Sequence, residues 1–245
     1  MLHIILWKWQ DKVNRVRASY VAKHVNVMAA MLRRNLEKYP HRIVCITDDP
    51  TGVETETFPL WEDCDFLANA TKPNLPSCYR RLKLYDPATQ KSLGIPEGDR
   101  IMSIDIDAVV MREIVSLVEA TASMRFVGWA VPGPHHPKVF NGSLQMFTAG
   151  DLDFIWSKFN PSTSPQQAKA AGFLGSDQSW LSMNLVSLEG CDGFRYPTIA
   201  SWTQDVKKLG IISAKTHITF FNGRKKPWMG ETRVEAGWVA RYWRM

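Results

Sequence analysis

The sequence predicts an α/β fold in one domain, with a mixed but mostly parallel central sheet flanked by helices. Two observations predict this fold class. A strand, a helix and a second strand follow one another between residues 3 and 47, the order that opens Rossmann-like sheets. The chain also has 245 residues, of which 45% are hydrophobic, so it can bury one large core. No internal repeat and no linker divides it.

The first elements follow from the spacing of apolar residues. Residues 3–7 form a predicted strand, and residues 42–47 form a second one that stops at the turn Asp48-Asp49-Pro50. Between these strands, six apolar residues recur at the period of a helix: Val21, Val25, Met28, Ala29, Leu32 and Leu36. A shorter extended segment at 54–58 is followed by a polar, proline-rich loop that reaches Ser77.

The alternation of helices and strands continues through the rest of the chain. We predict a helix at 79–85, a strand that ends in Asp105 and Asp107, a helix at 112–119 and a strand at 125–131. Later predictions are an extended segment at 139–147, a helix at 152–159, a mobile polar loop at 160–170 and a helix that follows Ser176 as N-cap.

Charge and cysteine usage limit the class of partner. The formal charge of +6 and the pI of about 9.2 suit an anionic partner. Basic residues occur in short scattered clusters and not in a long stripe, so we expect no nucleic-acid partner. The four cysteines, Cys45, Cys64, Cys78 and Cys191, lie too far apart for a zinc knuckle or a disulfide framework, which favours reduced thiols and a cytoplasmic location.

The two end segments bear on contact with membranes. The apolar stretch at 2–7 is too short for the core of a signal peptide, and the charged residues Lys8, Asp11 and Lys12 follow it. The tail at 231–245 is rich in tryptophan and basic residues, among them Trp238, Arg241, Trp243 and Arg244. This tail either touches a membrane surface, as a peripheral contact, or closes the fold.

Asp105 and Asp107 place two carboxylates inside the apolar run 101–110, where an uncompensated charge would cost several kcal/mol. Residues two apart in an extended chain project to the same side, so both can face one ion. They would lie at the carboxyl end of a central strand, where open α/β sheets bind ligands. Mg²⁺ or Mn²⁺, shared with the phosphates of a substrate, would compensate the charge. Alternatively, the aspartates cap a turn or accept bonds from backbone amides.

Four segments have a characteristic order and spacing. They are Tyr79-Arg80-Arg81-Leu82-Lys83-Leu84; Asp105 with Asp107; Phe140-Asn141-Gly142-Ser143-Leu144 with the later Asp177-Gln178; and Gly223-Arg224-Lys225-Lys226-Pro227-Trp228. Over about residues 1–230 this set resembles family eight of the retaining glycosyltransferases. The resemblance implies a GT-A fold and transfer of a hexose from a nucleotide diphosphate sugar, UDP-hexose above all, to a saccharide or glycolipid acceptor. It also implies a nucleotide-binding half at 1–110 and a sugar and acceptor half at 111–230, before the tail at 231–245.

The resemblance further implies roles for single residues. Asp105 and Asp107 would hold Mn²⁺ or Mg²⁺, while Gly223 and Lys226 would place donors where charge develops on the leaving diphosphate. Arg81 would reach the donor or brace Asp107. Asn141, Asp177 and Gln178 would contact the sugar, and Trp7, Lys8 and Asp48 the base. Plainer alternatives exist: a solvated lysine for Lys226, an exposed helical arginine for Arg81, a helix N-terminal residue for Asp177 and a core ring for Trp7.

One position departs from the family pattern. The family supplies a histidine as third metal ligand three residues before the glycine of the last segment, and this chain has Phe220 there. His217 and Asn222 are the candidate replacements, because imidazole suits Mn²⁺ and an amide oxygen suits either ion. His217 is equally an ordinary strand residue, and His135 and His136 rank lower as ligands.

Two other classes of protein compete with a transferase. Phosphatases of the haloacid dehalogenase type also carry two aspartates at the end of an apolar strand, but their motif opens the domain, and Ala108 stands where a glycine and a threonine are expected. A non-catalytic protein that binds nucleotide sugars or polyanions would fit the missing histidine and the basic pI. The sequence favours the metal-dependent hexosyltransferase.

Overall fold

The computed structural model of the chain describes residues 1–9, 20–61 and 77–245; Asp11, Lys12 and Cys64 lie outside them. The described residues contain a seven-stranded and a three-stranded sheet. The larger sheet is built from β1 (Leu2–Lys8), β2 (His41–Thr47), β3 (Glu56–Pro59), β4 (Arg100–Ile104), β6 (Phe126–Val131), β7 (Val139–Thr148) and β8 (Cys191–Phe194). The smaller sheet is built from β5 (Ala108–Val110), β9 (Ile199–Ser201) and β10 (Ile218–Phe220).

The order of strands in the larger sheet is β3-β2-β1-β4-β7-β6-β8. All neighbours are parallel except β7, which runs antiparallel to both β4 and β6. In the smaller sheet β10 is antiparallel to β5 and parallel to β9. This arrangement confirms the predicted α/β fold with a mixed, mostly parallel central sheet.

Helices connect the strands. They are α1 (Ala22–Leu36), a 3₁₀ helix (Ser77–Tyr85), α2 (Pro87–Ser92), α3 (Val115–Ala120), α4 (Phe154–Ser157), α5 (Ser164–Ala170), α6 (Asp177–Leu185), a π-helical turn (Trp202–Val206), α7 (Lys207–Leu209), α8 (Gly230–Glu235) and α9 (Trp238–Tyr242). The apolar spacing predicted α1 well. The predicted helix at 79–85 is a 3₁₀ helix that begins at Ser77 and has nine residues, which is long for this tighter winding.

The core lies on both faces of the larger sheet, because β1 alternates its side chains across it. Ile4 and Leu6 pack with residues of α1, whereas Ile5 and Trp7 pack with residues of the 3₁₀ helix and α6. All four side chains are buried. Strand β1 is therefore fixed from both sides, and its carboxyl end is a rigid edge for a binding site.

Two predictions of local structure are wrong. Residues 164–170 form α5 and not a loop, because Pro165 at the first turn is compatible with a helix and Ala168 is buried. The run 101–110 is not one strand: β4 ends at Ile104, and β5 belongs to the other sheet. Asp105 and Asp107 thus lie in the connection after β4, and strand alternation does not orient them.

The C-terminal tail closes the fold. Trp243 is buried, and its ring lies 6.0 Å from Trp228 and 6.1 Å from His24 of α1. Trp238 packs on Trp202, with ring centroids 6.3 Å apart. Both tryptophans of the tail are therefore engaged inside the protein. None of the helices in the described ranges has the length and apolar character needed to span a bilayer.

His24 makes the stability of the fold depend on pH. Burial, aided by the charge of Lys23, lowers the pKa of His24 from 6.5 to about 4. The ring stacks on Trp228 at 3.8 Å, and Nδ1 accepts the backbone N–H of Val21 at 3.2 Å. As pH falls below 6.5, His24 takes up a proton in the unfolded chain but stays neutral in the folded chain. We expect a loss of up to about 3 kcal/mol of unfolding free energy between pH 6.5 and 4.

The variant His24→Gln isolates this effect, because glutamine at the third helical position can still accept the N–H of Val21 but does not titrate. Denaturant unfolding at several pH values should show a shallower acid slope for the variant than for the wild type. Equal slopes would mean that His24 is not the group responsible.

Candidate active site

A cavity of about 650 Å³ opens where β1 and β4 end, at the carboxyl edge of the larger sheet. Its volume lies in the range typical of small-molecule and cofactor sites. The residues that line it are Trp7, Trp9, Tyr20, Cys78, Arg81, Asp105, Ile106, Asp107, Asn141, Gly142, Ser143, Gly175, Ser176, Gln178, Asn222, Gly223, Arg224 and Lys226. Three of the four motif segments contribute acidic or basic side chains to this one wall.

Arg81 joins two carboxylates at the base of the cavity. Its Nη1 donates to Asp105 Oδ1 at 2.6 Å, and its Nε donates to Asp177 Oδ2 at 2.8 Å. Ser176 Oγ donates to the other oxygen of Asp177 at 2.9 Å. Asp177 is 1% exposed, so it lies behind the wall and holds Arg81 in place.

Asp107 is paired with Lys226 on the other side of the cavity. Lys226 Nζ donates to Asp107 Oδ2 and, at 3.2 Å, to the carbonyl oxygen of Phe221. The hydroxyl of Tyr20 donates to the same carboxylate oxygen at 3.0 Å. Asp107 and Lys226 are both buried. Each aspartate of the connection after β4 therefore has its own cationic partner, and the expectation that Arg81 braces Asp107 is wrong, because Arg81 bonds Asp105 instead.

The two buried charge clusters shift pKa values in ways that follow from their surroundings. Burial by itself would lower the pKa of Arg81, but the carboxylates of Asp177 and Asp105 outweigh it and raise that pKa well above its ordinary value. Burial raises the pKa of the Asp107 carboxyl, against the charge of Lys226. Arg81 is thus a permanent cation, whereas the negative charge of Asp107 depends on its pairing with Lys226.

The antiparallel strand β7 brings uncharged polar groups to the site. The pairing of β6 with β7 shifts between Gly128 and Trp129, so residues 142–144 bulge out of that ladder. Asp105 N–H donates to the carbonyl of Ser143 at 2.9 Å, and Gln178 Oε1 accepts from Gly142 N–H at 3.3 Å. The bulge therefore sets Ser143 beside Asp105, and its Gly142 bonds Gln178 of α6; Asn141, Ser143 and Gln178 all line the cavity.

Two glycines of the site are required for steric reasons. A Cβ at Gly142 would lie 2.7 Å from Arg81 Nη2 and 3.3 Å from Asp177, so any side chain there would displace the arginine. Gly223 has φ +104, a conformation that other residues rarely adopt. It turns the backbone between Phe221 and Lys226 so that this loop lines the cavity.

The described side chains fit a hard divalent cation that is shared with a ligand. Asp105, Asp107 and Asn222 all line the cavity and provide carboxylate and amide oxygens, the ligand atoms that Mg²⁺ and Mn²⁺ prefer. Within 1–9, 20–61 and 77–245, no cluster of three or more His, Cys, Asp or Glu side chains could hold a metal ion. Such a cation would need oxygens from a ligand or water to complete its shell.

Three predicted site residues lie elsewhere, and a fourth, Trp7, has a double role. Lys8 is not in the cavity wall, and its Nζ donates to the carbonyl oxygen of Asp49 at 2.6 Å. His217 Nδ1 bonds the carbonyl of Glu113 at 2.6 Å, at the end of β10 opposite Asn222. The geometry therefore does not support His217 as a ligand; Phe220 is fully buried and stacks on Trp129. Asp48 is exposed and lies outside the cavity wall.

Trp7 belongs both to the core and to the wall. Its Nε1 donates to Ser103 Oγ at 2.8 Å, and its ring packs edge-on against Trp9 and Trp61. Since Trp7 is 4% exposed, very little of its ring is open to a ligand. His136, ranked lower from the sequence, stacks on Phe173 and bonds the carbonyl of Ala171 instead.

Sequence reasoning missed several residues of the wall. Trp9 and Tyr20 come from segments without a motif, and no local signal points to them; Ser176 was predicted only as an N-cap, although it directly precedes the Asp177-Gln178 motif. Ser143 and Arg224 lie inside the quoted motif segments, so their position next to predicted site residues indicates that they belong to the wall.

Comparison with known proteins identifies the fold. No protein-family model and no curated protein sequence matches the chain. A crystal structure of the galactosyltransferase LgtC in complex with donor and acceptor sugar analogues matches with a TM-score of 0.62 at 12% identity, covering 99% of this chain and 97% of that one. An active-site mutant of LgtC matches with a TM-score of 0.63 at 11% identity and the same coverage. The described sheets and their order thus form the GT-A fold that this chain shares with a galactosyltransferase.

Proposed function

We propose that this protein is a metal-dependent, retaining glycosyltransferase that moves a hexose from a nucleotide diphosphate sugar, UDP-hexose first of all, to a saccharide or glycolipid. The observation that carries the proposal is the convergence of Asp105, Asp107, Arg81 and Lys226 on one cavity at the carboxyl edge of a GT-A sheet. LgtC, whose crystal structure holds donor and acceptor sugar analogues, supports the same class of chemistry through its fold.

The cationic side chains have a clear task in such a reaction. When a sugar leaves a nucleotide diphosphate, negative charge develops on the phosphate oxygen that is released. Lys226, and a backbone N–H of the loop at Gly223, would donate to that oxygen, in a site where burial strengthens each interaction. A divalent cation held by Asp105, Asp107 and Asn222 would, when bound, neutralise the same diphosphate.

The sugar would lie against Asn141 and Gln178, whose polar groups face the cavity. We propose that the acceptor attacks on the face from which the phosphate leaves, and that the departing oxygen takes the acceptor's proton. The burial of Asp177 and its bonds to Arg81 and Ser176 support this route, because a covalent intermediate needs an accessible carboxylate. Here Asp177 is a positioning residue.

Calorimetric titration of UDP and UDP-hexoses, with and without Mn²⁺, tests the proposal. We expect binding that requires Mn²⁺ and that weakens at least about tenfold in the double variant Asp105→Asn/Asp107→Asn, since both carboxylates lose their charge. The double variant Asp48→Asn/Asp49→Asn, outside the cavity wall, is the control that should bind like the wild type.

Further outcomes separate the competing functions. Tight binding without turnover of any UDP-hexose would favour a non-catalytic nucleotide-sugar protein, and no binding under any condition would exclude the transferase. Hydrolysis of p-nitrophenyl phosphate would instead identify a phosphatase. Retention is checked by NMR of the anomeric proton in the first product formed.

A further inference from the structure

An exposed basic and aliphatic segment, residues 207–215, projects between β9 and β10. Leu209 is 53% exposed and Ile211 is 69% exposed. Among the large exposed aliphatic residues of the described ranges, these two are the nearest to each other along the sequence. Lys207, Lys208 and Lys215 flank them and are exposed as well. The segment contains no acidic residue.

The protein anchors this segment firmly at its base. Ile212 packs against the core beneath the exposed pair, and Trp202, five residues before Lys207, stacks on Phe221 with ring centroids 5.4 Å apart. Gly210 has φ +72, which turns the chain sharply between Leu209 and Ile211. Two aliphatic side chains are thus held on the outside by a supported turn.

The segment lies near the loop that contributes Arg224 and Lys226 to the cavity wall. Lys225, next to two residues of the cavity wall, forms an ion pair with Glu235 of α8, and the charge of Lys207 acts on the same carboxylate. Phe221, on which the segment's base rests, directly precedes Asn222 in the wall. Lys207 and Lys225 therefore act on one carboxylate, that of Glu235, and Lys208 and Lys215 remain as the other basic residues of the turn.

We propose that residues 207–215 dock the protein on an anionic lipid bilayer. Short aliphatic side chains enter the boundary between headgroups and acyl chains, and lysines beside them bind anionic headgroups; neither signal alone anchors a protein well. The segment supplies both, with three lysines and two exposed aliphatic residues within nine positions.

Sedimentation with vesicles tests the proposal on the whole chain, without donor or metal, so the result is independent of the proposed transferase activity. The wild type should bind vesicles of phosphatidylcholine with phosphatidylglycerol at least about tenfold more tightly than pure phosphatidylcholine vesicles, since each lysine adds to the attraction. Leu209→Ser/Ile211→Ser should weaken binding to the anionic vesicles by about tenfold or more, because it removes the apolar contact. Lys207→Gln/Lys208→Gln should weaken it as well.

Leu174→Ser is the matched control, because Leu174 is also 53% exposed but lies outside the segment. It should bind as the wild type does, and thermal melts should show that all variants are folded. Failure of the wild type to bind anionic vesicles, or equal binding by Leu209→Ser/Ile211→Ser, would overturn the proposal. So would a change of oligomeric state in that variant without lipid, which would identify the surface as a contact between copies of the chain.

Discussion

Replacing Lys226 by methionine is expected to destabilise the protein by about 3 to 5 kcal/mol, because it leaves the buried Asp107 carboxylate without its cation. The same change removes a donor from the place where charge would develop on the leaving diphosphate. Turnover of a nucleotide sugar should therefore fall by about 10² to 10³-fold. Urea unfolding and initial rates at saturating donor measure the two effects separately.

The neighbouring lysine is a matched control. Lys225 pairs with Glu235 at the surface, where an ion pair contributes at most about 1 kcal/mol. Lys225→Met should therefore be nearly as stable and as active as the wild type. If both variants lose the same stability, the pair of Lys226 with Asp107 does not have the importance that its burial implies.

A divalent cation should compensate part of the loss in Lys226→Met. In the wild type, Lys226 and the cation compete for Asp107, whereas in the variant the carboxylate has no other partner of opposite charge among the contacts described. Mn²⁺ added without nucleotide should raise the unfolding free energy of the variant more than that of the wild type. An equal response in both proteins would place Mn²⁺ away from Asp107.

The second large effect is expected for Arg81→Met. This change removes one guanidinium from two carboxylates and leaves Asp177 buried and unpaired by charge, so we expect a loss of about 3 to 5 kcal/mol. Asp105 would also lose the contact that orients it, so nucleotide binding in the presence of Mn²⁺ should weaken. Denaturant unfolding and calorimetry measure these losses.

A double-mutant cycle that combines Arg81→Met with Asp177→Asn measures the interaction between these two residues, separately from the other effects of each substitution. Arg81 and Asp177 are in direct contact, so their effects should be non-additive by about 0.5 to 3 kcal/mol. The exposed pair of Arg42 with Glu56 offers a reference, and Arg42→Met should cost at most about 1 kcal/mol. Additive effects of Arg81→Met and Asp177→Asn would contradict a positioning role for Asp177.

The sequence was informative wherever one local rule decides the structure. The spacing of Val25, Met28 and Leu32 predicts α1, since one face of that helix must be buried. The position of Asp105 after an apolar run predicts the carboxyl edge of a central strand, and β4 does lie at the middle of the sheet. Both predictions depend on neighbours in sequence and not on the packing of distant segments.

Other features of the site depend on contacts between distant segments. Strand pairing fixes the direction of His217: Ile218 pairs with Val110, so the histidine falls at the far end of β10. The bond from Arg81 to Asp177 joins segments 96 positions apart, and no spacing rule predicts that Asp177 is buried behind the wall. The separate strand β5 likewise follows from pairing with β10, which the apolar run 101–110 does not reveal.

The contacts among His24, Trp228 and Trp243 join α1 to segments that the ribosome makes long after it. Until Trp243 has emerged, a nascent chain lacks one of the ring contacts of Trp228, the residue that follows Lys226 and Pro227. The early strands can pair while translation continues, but the part of the cavity wall that contains Lys226 must form late. The direction of synthesis thus delays ligand capture until nearly the whole described chain is available to fold.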